Sequence, residues 1–577
     1  MLILGISGLS YQATGALIKD GEIVAACEEA KLIGRRSPAG VPHKAIEFCL
    51  KQAEATADGV DGVAVDLQPL RLLGRELAFR GARFPVAPLA SLFHGIAGLN
   101  RARLELRDLR TLRDTFPKAK LTAVEHHYAH AAYAYYPSAF ERAVVITLDS
   151  GSAMRAGAVW LAEGGRIQQR AAAPFPHSIG LLYSTITALL GWNPAEDVHR
   201  TVWLSATGEP EFAEVFRHIL APLRRGELRL NTACFSHSVA GRVRLSDSFL
   251  KSVGARQDRS GTGFQPVGGH RQDACATMPE TWRANLAASL QTEAEAALVE
   301  FAEHWRKRTG ADALCLGGGV AFNTLLAEAL ASRTGFREGF IPPAAGNAGC
   351  AVGAAMAATQ SAGGTLQRSM MSASLGPSYS GQYIKDILDN CRLRYKVLAM
   401  PQMVEAVAEL LNEGLFVGWF QGAAEFGPRA LGHRSILAVP RDHWVKENLN
   451  AYTKRREAFR PLAASVTEEA APKYFEYRWA APAAYLATVA RVKDAEATPG
   501  LAFQGGRARI QVVSRASNKY FHELLTRVGQ FTGHPVLINT SFNQPGAPLA
   551  ATPGEALRVF YSSGIDALAI SNFLIRK

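Results

Sequence analysis

No run of about 18 apolar residues occurs among the 577, so a membrane-spanning helix is not expected. Cysteine is scarce and unpatterned. The seven (Cys27, Cys49, Cys234, Cys275, Cys315, Cys350 and Cys391) show no CxxC spacing, which argues against a zinc ribbon or a disulfide framework and for a reduced cytoplasm. The opening residues Met1-Leu-Ile-Leu-Gly-Ile6 carry no basic leader and read as a first strand. Acid is in deficit, 51 Asp and Glu against 63 Lys and Arg, a net charge of +12. Such an excess suits anionic metabolites as well as nucleic acid. Much of it lies between Arg71 and Arg113, around Leu104, Leu106, Leu109 and Leu112, a pattern that predicts an amphipathic helix with a solvated basic face. Nucleic acid is therefore not the expected partner.

What is present is an ordinary globular composition, 48% hydrophobic and 20% charged, long enough for three or four packed units. Leu2–Ala26 reads strand, polar loop, strand, turn, strand. Val144–Ile167 repeats it 142 residues later: Gly5-Ile6-Ser7 answers Thr147-Leu148-Asp149, and Gly15-Ala16-Leu17 answers Gly157-Ala158-Val159. Two such hairpins suggest duplicated lobes with phosphates or a metal between their loops. In Glu125-His-His-Tyr-Ala-His130, His126 and His130 are four apart and would share one helix face, a spacing that suits a metal but also occurs in capped or solvated pairs. The region Gly254–Glu280 is rich in Gly, Gln and Arg, repeats Arg-Gln-Asp at 256–258 and 271–273, and reads as a low-complexity insertion.

Ala313-Leu-Cys-Leu-Gly-Gly-Gly-Val-Ala-Phe-Asn323 predicts a buried strand, a glycine turn and a helix start, where backbone amides can approach a nucleotide. A second glycine turn, Pro342–Gly349, opens another Ala-rich helix. After a linker at 361–376, the strand Phe416–Phe420 delivers Glu425-Phe-Gly-Pro-Arg-Ala-Leu-Gly-His-Arg-Ser435. Lys454, Arg455, Arg456 and Arg460 follow, with Glu457 among them. Clustered arginine captures oxyanions bidentately, though a similar run also makes a salt-bridged surface; the glycines and Pro428 favour a shaped pocket. Val536–Asn543 is a strand ending in Asn539, Thr540, Ser541 and Asn543, at a favoured ligand position for α/β sheets.

Together these motifs resemble the NodU/CmcH carbamoyltransferases. Glu425–Gly432, Arg456–Pro461 and Asn539–Asn543 are similar to the C-terminal half of that family. His126–His130, His177–Ser184 and Gly317–Asn323 are similar to the N-terminal half. The resemblance implies a duplicated actin/sugar-kinase/Hsp70-like α/β domain over 1–360, with the insertion at about 254–280, and a YrdC-like α/β domain over 377–577. It further implies an ATP-dependent O-carbamoyltransferase, which forms carbamoyl-adenylate from carbamoyl phosphate and ATP and carbamoylates a hydroxyl of a small acceptor, a sugar or a secondary metabolite. A homodimer is one assembly open to it. Mapped by motif, Arg429, Arg434, Lys454, Arg456, Arg460, Ser541 and Asn543 would bind carbamoyl phosphate and ATP. Gly318, Gly319 and Asn323 would contact the nucleotide. His126, His130 and Asn347 would hold a divalent metal, iron or magnesium, and His127 and Asp149 would serve catalysis.

The sequence departs from the family pattern on the transfer side. Ser10-Tyr-Gln-Ala13 stands where His-His-Asp-Ser is usual, Asn347 where an Asp is usual, and Asp197-Val-His-Arg200 where Gly-Glu-Tyr-Lys is usual. His433 and Ala547 are smaller changes. Two functions fit: an active transferase in which His127, His199 or Tyr11 substitutes as base, or an impaired, regulatory relative that binds nucleotide or carbamoyl phosphate.

Overall fold

A computed structural model describes residues 1–67, 103–152, 155–237, 243–255, 278–370, 372–495, 498–503 and 505–577. Most of the predicted insertion, both Arg-Gln-Asp repeats, Cys275 and the basic stretch from Arg71 to 102 lie outside the described residues. At 103–115 the chain is helical; Leu112 is buried, while Leu104, Leu106, Arg107, Arg110 and Arg113 face solvent. That agrees with a solvated basic face, but the apolar stripe is narrower than the leucine spacing suggested.

Among the described residues, twelve strands build the N-terminal part: β1 (Leu2–Ser7), β2 (Thr14–Lys19), β3 (Glu22–Glu28), β4 (Gly62–Val65), β5 (Lys120–Ala123), β6 (Arg142–Ser152), β7 (Arg155–Glu163), β8 (Arg166–Pro174), β9 (Phe235–His237), β10 (Val243–Leu245), β11 (Ala313–Gly317) and β12 (Glu338–Phe340). One sheet runs β3-β2-β1-β4-β5, a second β12-β11-β6-β7-β8, and β9 and β10 pair alone. The two five-stranded sheets share one plan, a three-stranded antiparallel meander followed by two parallel strands. Their registers match too: Gly5 pairs with Ala16 and Ile6 with Gly15, as Thr147 pairs with Ala158 and Leu148 with Gly157. The 142-residue echo is thus a structural duplication, the expected actin/sugar-kinase/Hsp70-like arrangement.

The helix Gly349–Ser361 explains how the lobes close on each other. It is almost wholly Ala, Gly and other small residues and is buried through Thr359. A Cβ on Gly5 would stand 1.9 Å from Ala351 O, and one on Gly353 would stand 1.9 Å from Ala129 O. Backbones therefore meet where side chains normally would, pressing this helix against β1 and the helix His126–Tyr135.

The C-terminal part is a ten-stranded mixed sheet with helices on both faces. Its centre sets Val417–Phe420, Arg434–Ala438, Val536–Ser541, Ala463–Thr467 and Arg507–Val513 side by side. Ser435 pairs with Ser541, Asn539 with Ala463, and Ala463 with Arg509, so motifs far apart in sequence become neighbours. The two parts share a core: Trp479, Ala487 and Val489 pack into the cluster built on β6 and β7. Among the described residues no helix is long and apolar enough to cross a membrane, and none of the six cysteines there is paired.

Candidate functional site

The first of two centres lies at the carboxyl ends of β4 and β6. Glu125 caps the helix His126–Tyr135, its side chain accepting from Tyr128 N at 2.7 Å, and this fixes the first turn. His126 and His130 then share one face, their Nε2 atoms 3.1 Å apart. Asp149, in the register break of β6 between Leu148 and Ser152, places Oδ2 3.3 Å from His126 Nε2 and 3.5 Å from His130 Nε2, while its Oδ1 accepts from Ser150 N. Three atoms separated by 3.1, 3.3 and 3.5 Å have the spacing of ligands that each stand about 2.1 Å from one ion. Asp66, at the end of β4, contacts His126 Nδ1 at 3.1 Å and thereby orients Nε2 toward the shared point. Both histidines are buried, as are Asp149 and the Cys350 thiol nearby. The donors present fit a divalent ion.

Electrostatics follow the geometry. Burial opposes the Asp149 carboxylate, but hydrogen bonds from His126 and His130 outweigh it and hold its pKa well below the usual range. Burial likewise opposes protonation of the two imidazoles; Cys350 and Asp149, with Asp66 at His126, lift His126 well above the ordinary value and His130 to about 9. His127 goes the other way, pushed well down by burial and by the neighbouring His126 and His130. Its ring is fully enclosed, with Nδ1 3.2 Å from Thr147 Oγ1. Asn347 reaches the other hairpin, its backbone carbonyl accepting from Ser7 Oγ at 2.9 Å, and its side-chain Oδ1 is buried without a hydrogen bond.

The second centre lies where the halves meet. Lys454 Nζ is buried and donates to Ser541 O, Asn543 O and Asn543 Oδ1. Arg456 donates to Asn450 Oδ1, and Arg429 to Phe322 O of the N-terminal part, beside the glycine turn. Arg200 approaches from the helix Val198–Leu204 and pairs with Glu457 at 3.1 Å; Glu457 also lies 3.7 Å from Arg460. Burial, then Arg460, lowers Arg429 to about 10 and Arg456 to about 9. Burial also lowers Arg460 to about 10, and burial with Arg456 and Arg460 pushes Lys454 well down. Cations that depress one another at partly desolvated positions make a site for an anion.

Other residues picked out by sequence point elsewhere. Arg434 is fully buried, stacks 3.6 Å over Phe420, and donates to the carbonyls of Gln421, Gly422, His433 and Pro377. It braces the turn rather than the cleft. Glu425 does the same from within, one carboxylate oxygen accepting from the amides of Leu431, His433 and Arg434. Asn323 caps the helix Thr324–Arg333 and donates to Gln291 and Tyr183, so its side chain is engaged inside the protein. Gly318 and Gly319 pack on the Asp149 loop: added Cβ atoms would meet Leu148 O at 2.1 Å and Asp149 Oδ1 at 3.2 Å. His433 ties Ser374 of the linker to Gln421, Asn543 donates to the backbone of Ala547, and Tyr11 donates to Ala195 O. His199 is lowered to about 2 by burial, then by Arg460 and Arg200.

Arg509 and Asp66 had no motif to mark them, and Arg200 was marked only as the end of the altered segment Asp197–Arg200. Arg509 is pushed well down by burial and by Arg429, Arg456 and Arg460, which places it among the cleft cations. Its one sequence signal is the alternation Arg507-Ala-Arg509-Ile, which reads as a solvent-facing edge until the pairing with Ala463 is known.

Residues 96–356 match the carbamoyltransferase N-terminus and residues 408–577 the carbamoyltransferase C-terminus. This chain belongs to the carbamoyltransferase family. A Synechocystis protein is 32% identical across the whole chain and 96% of its own length. Nodulation protein NolNO of Sinorhizobium fredii is 29% identical, covering 100% of this carbamoyltransferase and 83% of the relative; NolO of Bradyrhizobium diazoefficiens is 30% identical over 79% of each. Component A of (R)-2-hydroxyglutaryl-CoA dehydratase from Acidaminococcus fermentans is a structural neighbour at 16% identity and TM-score 0.33, covering 63% of this chain and 99% of that one.

Proposed function

We propose that this carbamoyltransferase is ATP-dependent, activates carbamoyl phosphate in the arginine-lined cleft, and transfers the carbamoyl group to a small-molecule hydroxyl near the histidine centre. The observation that carries this reading is the cation excess where the halves meet: Arg429, Arg456, Arg460, Arg509, Arg200 and Lys454 face Glu457 and Asp197. Carbamoyl phosphate and the ATP phosphates would supply the missing negative charge. The arginines would hold those phosphates in register while a carbamoyl oxygen bonds to the α-phosphorus and pyrophosphate leaves. Carbamoyl phosphate gives up its own phosphate, with one water consumed. AMP is then released as the acceptor oxygen bonds to the carbamoyl carbon.

On the transfer side, His126, His130 and Asp149 would hold a divalent ion, with Asp66 orienting His126. When bound, such an ion polarises the carbonyl. His127, neutral and fully enclosed beside this set, would serve as the base.

Pyrophosphate release from ATP, measured with and without carbamoyl phosphate, tests the reading. Release that depends on carbamoyl phosphate is the expected result; none would overturn it in favour of a regulatory binding protein.

A further inference from the structure

The acid in the arginine cleft is poorly matched to the cations around it. Glu457 lies on the irregular stretch between Lys454 and the strand Ala463–Thr467, in a turn closed by Arg460 N donating to Glu457 O at 3.1 Å. Its Oε1 meets Arg200 Nη1 at 3.1 Å, but its Oε2 stands 3.7 Å from Arg460 Nη1 and is buried without a hydrogen bond. Two guanidinium donors of the cleft are orphaned as well: Arg200 Nε, 3.3 Å from Asp197 Oδ1, and Arg509 Nε. Buried donors and acceptors left unpaired in one place are costly. They mark a counter-ion of the wrong shape. A flat carboxylate with two oxygens stands where a tetrahedral phosphate would offer three.

Charge and anchoring point the same way. Burial lowers Arg456 and Arg460, and Glu457 is the acid that opposes this at both. Arg200 comes from the N-terminal part and does not depend on Glu457 for its position. Its guanidinium lies 5.9 Å from the centre of the Trp192 ring, which packs 6.2 Å from Phe459. The segment before it is tied to the first hairpin lobe, Glu196 pairing with Arg36 at 2.9 Å and Ala195 O accepting from Tyr11.

We propose that Glu457 is an internal stand-in for the anionic substrate: its carboxylate holds the place between Arg200 and Arg460 that a phosphate group takes, and a bound phosphate turns it out. The proposal rests on the anion-binding reading of the cleft given above. Its consequence is selectivity. A tethered carboxylate competes at an effective concentration of roughly millimolar or more, so chloride or acetate gains little by replacing it. A phosphate group brings more charge and more oxygens, and wins. Arg200 then becomes a ligand supplied by the N-terminal half, and the anion joins the two halves where Glu457 did before.

The test is calorimetric titration of the full chain with inorganic pyrophosphate. Glu457→Gln should bind it about 2–5-fold more tightly than the parent, because no ion pair has to be broken first. Chloride, raised equally for both, should weaken the variant more than the parent. Arg200→Gln should bind about 2–5-fold less tightly, and Arg200→Lys should recover part of the loss. A crystal structure of the parent with pyrophosphate needs no variant, and should show Glu457 turned away with Arg200 on a phosphate oxygen. Equal or weaker binding by Glu457→Gln, unchanged binding by Arg200→Gln, or a liganded structure in which Arg200 and Glu457 remain paired would each overturn the stand-in. The cleft reading survives any of these as long as the parent binds pyrophosphate and Arg456→Ala does not. No binding by the parent would sink both.

Discussion

The two centres of this molecule are assembled on opposite principles. The arginine cleft gathers cations with too few acids, at partly open positions where the halves meet. The histidine centre is enclosed, and His126 and His130 each have an acid beside them. On the proposed reading, one site selects by charge and is completed by an anion. The other would select by the spacing of a few donor atoms, held where helix backbones meet. An altered residue should therefore matter in different ways: in the cleft through lost charge, in the centre through lost position.

The sharpest way to separate them is to remove one member of each. Arg456→Ala should lower the rate of carbamoyl-phosphate-dependent pyrophosphate release by about 10²–10³-fold. His130→Ala should leave that release largely intact while carbamoylated product and bound metal disappear; metal analysis and product detection on the same sample check this. If His130→Ala stops pyrophosphate release as well, the division of labour fails.

Inorganic pyrophosphate should stabilise the parent by about 2.7 kcal/mol at a hundred times its dissociation constant, read as a rise in the thermal midpoint, and should stabilise Arg456→Ala much less. Geometry is the complementary lever. Gly353→Ala inserts a Cβ against Ala129 O and should destabilise the fold by about 1–3 kcal/mol in urea unfolding, with weaker metal binding as the crossing widens. A smaller effect, and a control distant from the histidine centre, is Thr552→Ala. It breaks the capping box with Glu555 and should cost about 1 kcal/mol with metal content unchanged.

Sequence reading reached the features that are local in the chain. The hairpin echo was legible because strand, loop and strand are contiguous, and the i, i+4 histidines because one helix carries both. Lys454 meeting Ser541 and Asn543 came from family motifs, and the structure joins them. What stayed hidden depends on contacts across the fold. Arg509 looks like an edge-strand residue until strand pairing sets it beside Ala463. Cys350, in an Ala- and Gly-rich helix, looks like packing until the crossing at Gly353 brings it to His126. Arg434 misled in the other direction: an arginine in a glycine-rich turn suggested a pocket, yet its guanidinium serves backbone carbonyls. Only the burial of the turn distinguishes it from Arg429.

One contact bears on how such a protein could be recombined. Lys31 donates to the carbonyls of Glu425 and Gly427, Glu28 accepts from Gly427 N, and a Cβ on Gly427 would stand 2.5 Å from Pro343 O. The turn that carries Arg429 is thus gripped by residues from the first thirty-odd positions and from the second glycine turn. A chimera joining the N-terminal half of one relative to the C-terminal half of another must bring matching partners at 28, 31 and 343. Without them it would carry every expected cleft residue on a turn with nothing to seat it.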